Sequence, residues 1–191
     1  MSADVVLGAI VLGATGLVAL FANADRGQAR RRARESFRAY ATSRGLRFEP
    51  PALGRGSPRI LGSGDTTDLY RLGGVLRTRA SAVASHGRGL AFAIAQRDQF
   101  DLPKTSALHV ASLGKAFVRV SGAPADLDFL DAIATPLGLL AERRREIWLI
   151  GDGSAVTVSW RGLEKDPQVL DAARATVLAL AEHHTQTEPY R

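Results

Sequence analysis

The stretch that decides the fold is residues 147–182, IWLIGDGSAVTVSWRGLEKDPQVLDAARATVLALAE. Trp148, Val156, Val158 and Trp160 are aromatic or β-branched and favour a pleated, half-buried surface. Between them, Asp152-Gly153 suits a tight hairpin turn with positive φ. After Gly162 the period changes. Val169, Leu170, Ala173, Val177, Leu180 and Ala181 fall on one side of a helix running from Asp166 to His184. Asp166 can cap that helix, and Pro167 suits its first turn. The segment reads strand, turn, strand, helix.

Working outward, the same order recurs upstream. Residues 107–142 align with 147–182 without a gap, at a spacing of 40. Val118 matches Val158, Gly122 matches Gly162, Leu130-Asp131-Ala132 matches Leu170-Asp171-Ala172, and Leu140-Ala141-Glu142 matches Leu180-Ala181-Glu182. The expected fold class is therefore α+β, with two ββα repeats packing their helices on one face of an antiparallel sheet. Pro136 and Gly138 predict a break in the first repeat's helix near Thr135. Further strands are expected at 69–72, 75–84, 89–97, 108–113 and 116–120, with His86-Gly87-Arg88 as a short turn. Residues 50–65 hold two prolines at 50–51, then Gly54, Gly56, Pro58, Gly62 and Gly64, and read as a loop or irregular edge.

The N-terminal part is different in kind. Val5 to Ala22 is an unbroken run of 18 uncharged residues in which only Thr15 has a polar side chain. As a helix it would be roughly 27 Å long, close to the ~30 Å of bilayer hydrocarbon. It predicts a single transmembrane helix. A buried core helix would carry a polar stripe. A cleaved signal peptide is the competing reading, since Ala22-Asn23-Ala24 resembles a cleavage site, but the leader MSAD has no Lys or Arg. Ala9, Gly13 and Gly16 place small side chains along one side, a route to close helix–helix approach and a homo-oligomer. The GATG turn at 13–16 resembles a dinucleotide-binding loop but lacks the alternating strands and helices that such a site needs.

Charge follows the same division. The net charge is +6, from 22 Arg and 3 Lys against 19 acids. Residues 1–47 contribute +5 of it and the remaining 144 residues only +1. A domain-wide nucleic-acid footprint is thereby disfavoured, and no nucleic acid is expected as a partner. Residues 28–44 lack Pro and Gly and read as a basic juxtamembrane helix with a modest apolar stripe at Ala33, Phe37, Tyr40 and Ala41. Arg26, Arg30, Arg31, Arg32 and Arg34 are the expected contacts to anionic lipid. By the positive-inside rule they would hold the globular part in the cytoplasm of a bacterial inner membrane, N-terminus out. The expected organisation is an anchor at 1–24, the basic helix at 25–47, an α+β domain at 48–184 and a disordered tail at 185–191.

Signs of catalysis are sparse. With no cysteine, disulfides, zinc–thiolate sites and cysteine nucleophiles are excluded. His183 and His184 are adjacent, so on a helix they point about 100° apart and do not chelate. His86 and His109 stand alone in the sequence. Asp126, Asp128 and Asp131 cluster at a helix start, where acids serve the helix dipole. Ser63 lacks the strand–turn–helix context of a nucleophile elbow. No catalytic residue, cofactor or metal ligand is assigned. Trp148 and Ile150 share a sheet face with Thr157 and are the expected partner surface.

From Phe117 onward, the order FVRVSG, LDFLDAIATPLGLLAE, IWLIGDGSAVTVSWRG and LDAARATVLALAE resembles a pattern common in bacterial membrane-associated proteins of unknown function. That resemblance implies no activity and carries over no functional residue. The function expected is that of a single-pass membrane-anchored protein with a non-catalytic, partner-binding cytosolic domain. A membrane-tethered enzyme, or a periplasmic or secreted domain released by cleavage, are the alternatives. A pocket gathering His86, His109, Arg119 and Asp98 would mark the enzyme.

Overall fold

The computed structural model describes residues 28, 31–52, 56–84, 91–97, 108, 113, 115–121 and 129–186. Helix α1 covers residues 31–43. Strands β1 (Arg47–Glu49), β2 (Arg59–Leu61), β3 (Asp65–Leu72) and β4 (Val75–Val83) follow, then β5 (Ala91–Gln96) and β6 (Phe117–Ser121). Helix α2 (Leu130–Arg143), the hairpin β7 (Trp148–Asp152) and β8 (Ala155–Arg161), and helix α3 (Pro167–Gln186) complete the order.

All eight strands form one antiparallel sheet in the order β1-β2-β3-β4-β8-β7-β5-β6. The first four strands are a meander. The last hairpin then inserts between β4 and β5, with Ala80 opposite Val158 and Ile94 opposite Leu149. The hairpin turn follows from its side chain: Asp152 Oδ1 accepts from the Ser154 and Ala155 amides at 2.9 and 2.8 Å, and Gly153 takes φ 88°. Those amide bonds hold the Asp152 carboxyl below its ordinary range.

Alternation along each strand divides the sheet into two faces. Ile60, Leu69, Ala80, Ala82, Val156, Val158, Trp160, Leu149, Phe92, Ile94 and Phe117 point to one side and are buried. Against them pack Leu130, Ile133, Leu137 and Leu140 of α2 and Val169, Leu170, Ala173, Val177 and Leu180 of α3. All three helices lie on this side. The other face carries none of the helices among the described residues.

This corrects the expected fold class in several respects. Among the described residues the fold is one eight-stranded antiparallel sheet with helices α1, α2 and α3, rather than two ββα units. No helix among the described residues is long and apolar enough to cross a membrane, and the apolar run 5–22 lies outside them. The first repeat does not form a ββα unit: Leu113, expected in a strand, is helical, and β6 pairs with β5, which precedes the repeat. The basic helix is not separate from the domain. Ala33, Phe37, Tyr40 and Ala41 of α1 are buried in the common core because their stripe at helical spacing matches the apolar surface beside α3. The expected break at Thr135 is absent, and α2 runs through Pro136. Ile133, Leu137 and Leu140, all fully buried, anchor the helix on both sides of the proline, so packing outweighs the lost amide. Residues 50–65, read as loop or edge, contain β2, with Ile60 paired to Thr67 and Phe48.

Candidate functional site

The face without helices is the candidate site, and the register defines it row by row. Ser121, Ala93, Ile150, Thr157, Ser81, Thr66 and Leu61 lie side by side across seven strands, and none is charged. The next row toward the β3–β4 turn runs Trp148, Ser159, Arg79, Asp68, Arg59 and Glu49. The row through Ile150 is therefore uncharged, and the row through Trp148 carries Arg79, Asp68, Arg59 and Glu49.

The exposed large hydrophobics point the same way. Leu72, Val83, Val120 and Ile150 are the exposed ones among the described residues; by strand alternation Leu72, Val83 and Ile150 lie on this face, and Val120 sits at the irregularity between β5 and β6. Val83 is 73% exposed and Ile150 39%. Trp148 is half-buried on the same face. The neighbours of Ile150 are Ala93 and Thr157, so its side chain stands above a low, flat surface.

The charged row is neutralised in part by its own contacts. Arg79 binds Asp68 through two bonds of 2.9 and 2.7 Å, and its guanidinium lies 5.1 Å from the centre of the Tyr70 ring. These bonds raise the Arg79 pKa further above its ordinary value. Arg77, buried on the same strand, donates to the Glu146 carboxylate at 3.2 Å and to its carbonyl. Arg161 reaches the other Glu146 oxygen at 2.8 Å. Glu146 holds φ 56°, a left-handed conformation uncommon for a residue with a Cβ. The two arginines hold it there. Arg59 is exposed on β2 and has no ion pair among the described residues.

Two further polar networks lie on the helix side and serve structure. The Glu164 carboxylate is buried and accepts from Arg144 at 2.6 and 2.5 Å, from Trp160 Nε1 at 2.8 Å, and from the Lys165 and Asp166 amides at 2.8 Å each. With that many donors it has no free lone pair for chemistry. Asp171 accepts from Tyr40 Oη at 2.6 Å and from Arg44 at 3.1 and 2.5 Å. Burial works to raise the Asp171 pKa, but the bonds from Arg44 and Tyr40 outweigh it and hold the carboxyl below its ordinary value.

The residues singled out from sequence are dispersed. Trp148 and Ile150 share the open face. Arg31, Arg32 and Arg34 are exposed on α1, in the helix layer. Arg26, Arg30, Ala9, Gly13 and Gly16 lie outside the described residues, as do His86, His109, Asp98, Asp126 and Asp128. Asp131 is exposed in the first turn of α2. Among the described residues no group of three or more His, Cys, Asp or Glu is placed to hold a metal. Sequence reasoning missed Asp68, Arg77, Arg79, Glu146 and Arg161. Part of the signal was present: Arg77, Arg79, Ser81 and Val83 alternate at period two and mark the solvent side of β4.

Among the described residues these elements form a two-layer α+β domain, with helices on one side of an antiparallel sheet and none on the other. The chain matches no protein-family model. No curated protein is similar to it. Among solved structures, its fold is similar to that of the mycobacterial trehalose monomycolate transport factor A, TtfA, with a TM-score of 0.50 and 12% sequence identity. The similarity covers 85% of this chain and 99% of that one. At that identity the likeness is one of fold.

Proposed function

We propose that this chain is a non-catalytic, membrane-associated protein whose open sheet face binds a protein partner. The observation that carries the reading is the exposure of Val83 and Ile150 on neighbouring rows of the one face that no described helix covers. Large apolar side chains left in water beside an uncharged row are a feature of interaction sites. The strongly perturbed ionisable groups are tied into contacts that hold elements together, as in the ion pair of Arg174 with Asp65 and the hydrogen bond from Tyr40 to Asp171, which supports binding over catalysis. The fold is similar to that of a trehalose monomycolate transport factor, which supports an accessory role in transport over catalysis. Membrane attachment is assigned to the apolar N-terminal stretch Val5–Ala22, and the folded part to the cytoplasmic side of an inner membrane.

A photo-crosslinking amino acid placed at Ile150 or Val83, and as a control at Lys165 on the helix side, tests this in cells that make the protein natively. The expected result is a discrete adduct of one partner from the open-face positions and none from Lys165. Equal crosslinking from all three positions, or none from Ile150 and Val83, would overturn the reading.

A further inference from the structure

We propose that the outer side of α1 docks the folded domain onto an anionic lipid surface, helix layer toward the lipid, leaving the open sheet face directed away. This deepens the membrane-association part of the proposed function and is independent of the identity of any protein partner.

The geometry of α1 is the starting point. Arg31, Arg34 and Arg38 stand at i, i+3 and i+7 and form one exposed ridge, with Arg32 beside it. Seven residues of helix set the ends of the ridge about 10 Å apart. Glu35 is the single acid there, so this flank carries a net +3. Its bond to Arg31 is exposed at both ends, 83% and 63%, and such a pair is weak enough to exchange for another anion. Arg32 and Arg34 have no ion pair among the described residues. Arg38 is exposed and extends over the Phe48 ring at 5.3 Å.

Elsewhere on the domain many of the arginines are spoken for. Arg44 meets Asp171, Arg47 meets Glu49, Arg79 meets Asp68, Arg143 meets Asp166 and Arg161 meets Glu146. Arg59 and Arg71 stand singly on the strands, whereas α1 carries Arg32, Arg34 and Arg38 within two turns. Guanidinium groups bind phosphate oxygens in a bidentate manner. A ridge along an open helix flank, with no walls around it, fits a plane of many phosphates better than one enclosed phosphate.

The inner side of the same helix gives the docking its orientation. Phe37 and Ala41 are fully buried, Tyr40 Oη bonds Asp171, and Ser36 Oγ donates to the Glu164 carbonyl at 3.2 Å. A helix pinned to α3 in this way cannot turn its arginines independently. Lipid contact on its outer flank orients the whole sheet, and the face bearing Ile150 and Val83 points the opposite way.

The chain has no cysteine, so single labels can be placed at will. Thr42→Cys lies on the α1 flank, one turn beyond Arg38, and Val83→Cys lies on the open face. The full chain, carrying a fluorophore at one position, is mixed with phosphatidylcholine vesicles with or without phosphatidylglycerol, the headgroups bearing a quencher. Quenching at position 42 should rise several-fold with phosphatidylglycerol, while position 83 stays low in both. High salt should return position 42 to its neutral-lipid level. Combined Arg31→Glu, Arg34→Glu and Arg38→Glu should do the same, since each basic residue near such a surface is worth about five-fold in partition. The thermal unfolding of that variant shows whether it is folded, and the salt arm needs no variant. Equal quenching at 42 and 83, or quenching at 42 indifferent to phosphatidylglycerol, overturns the docking. Flotation separates the two proposals: flotation with anionic vesicles alone keeps the docking and removes apolar attachment, and flotation with neither removes both.

Discussion

Asp65 at the start of β3 and Arg174 in the middle of α3 form a two-pronged ion pair, 2.6 and 2.8 Å, with side chains 1% and 14% exposed. The pair joins the sheet to the helix layer. Its seat is closed by Gly62, where a Cβ would fall 2.0 Å from an Asp65 oxygen and 2.4 Å from an Arg174 nitrogen. Breaking a buried pair leaves an uncompensated charge. Asp65→Ala should therefore cost about 3–5 kcal/mol in urea unfolding. Gly62→Ala should cost about 1–3 kcal/mol, as overpacking does. A change below about 0.5 kcal/mol in both would show that the pair is not structural.

Tyr40 supplies a pH dependence. Burial and the bond to Asp171 push its pKa up from 10.0 to about 12. A raised folded-state pKa means that the contribution to stability is complete below pH 10 and is lost as pH rises through about 12. Thermal unfolding midpoints should fall across that window. Tyr40→Phe should lower the midpoint at neutral pH and remove most of the alkaline fall, leaving a flatter curve than the parent protein.

Glu164 is the hub beneath the start of α3. Replacing it by Ala frees Arg144, the Trp160 indole and two backbone amides at once, and should cost about 3–5 kcal/mol in denaturant unfolding. The fluorescence of Trp160, fully buried in the parent, reports the same loss as a red shift. An unchanged emission maximum together with unchanged stability would contradict the role assigned to this carboxylate.

Gly138 offers a gain. It sits inside α2, and a Cβ there meets nothing within 4 Å. Glycine in a helix interior is destabilising by roughly 0.5–1 kcal/mol relative to alanine. Gly138→Ala should raise the unfolding free energy by that amount without altering the open face, which the Ile150 crosslink would confirm.

Much of the local architecture could be read from residues a few positions apart. Asp152-Gly153 specified a turn through its own carboxylate and a positive-φ glycine, and the stripe from Val169 to Ala181 specified α3 through its period. The division of charge between residues 1–47 and the rest is likewise a property of composition alone. The matched spacing of 40 was real in letters but not in architecture, because a gapless match between two apolar patterns says nothing of which strands pair.

Tertiary structure alone decided the rest. Every antiparallel strand offers the same ladder of amides and carbonyls, so nothing local tells β8 to insert beside β4, 69 residues separating Arg77 from its partner Glu146. Nor can periodicity say whether the stripe on α1 meets lipid or protein; the Tyr40–Asp171 and Ser36–Glu164 contacts answer that across more than a hundred residues. Continuity of α2 through Pro136 depends on burial of Ile133 and Leu137, which only the assembled core supplies. The open face exists for the same reason: alternation marks two sides of a strand, but which side the helices cover is settled by packing, since only the assembled layers remove that apolar surface from water.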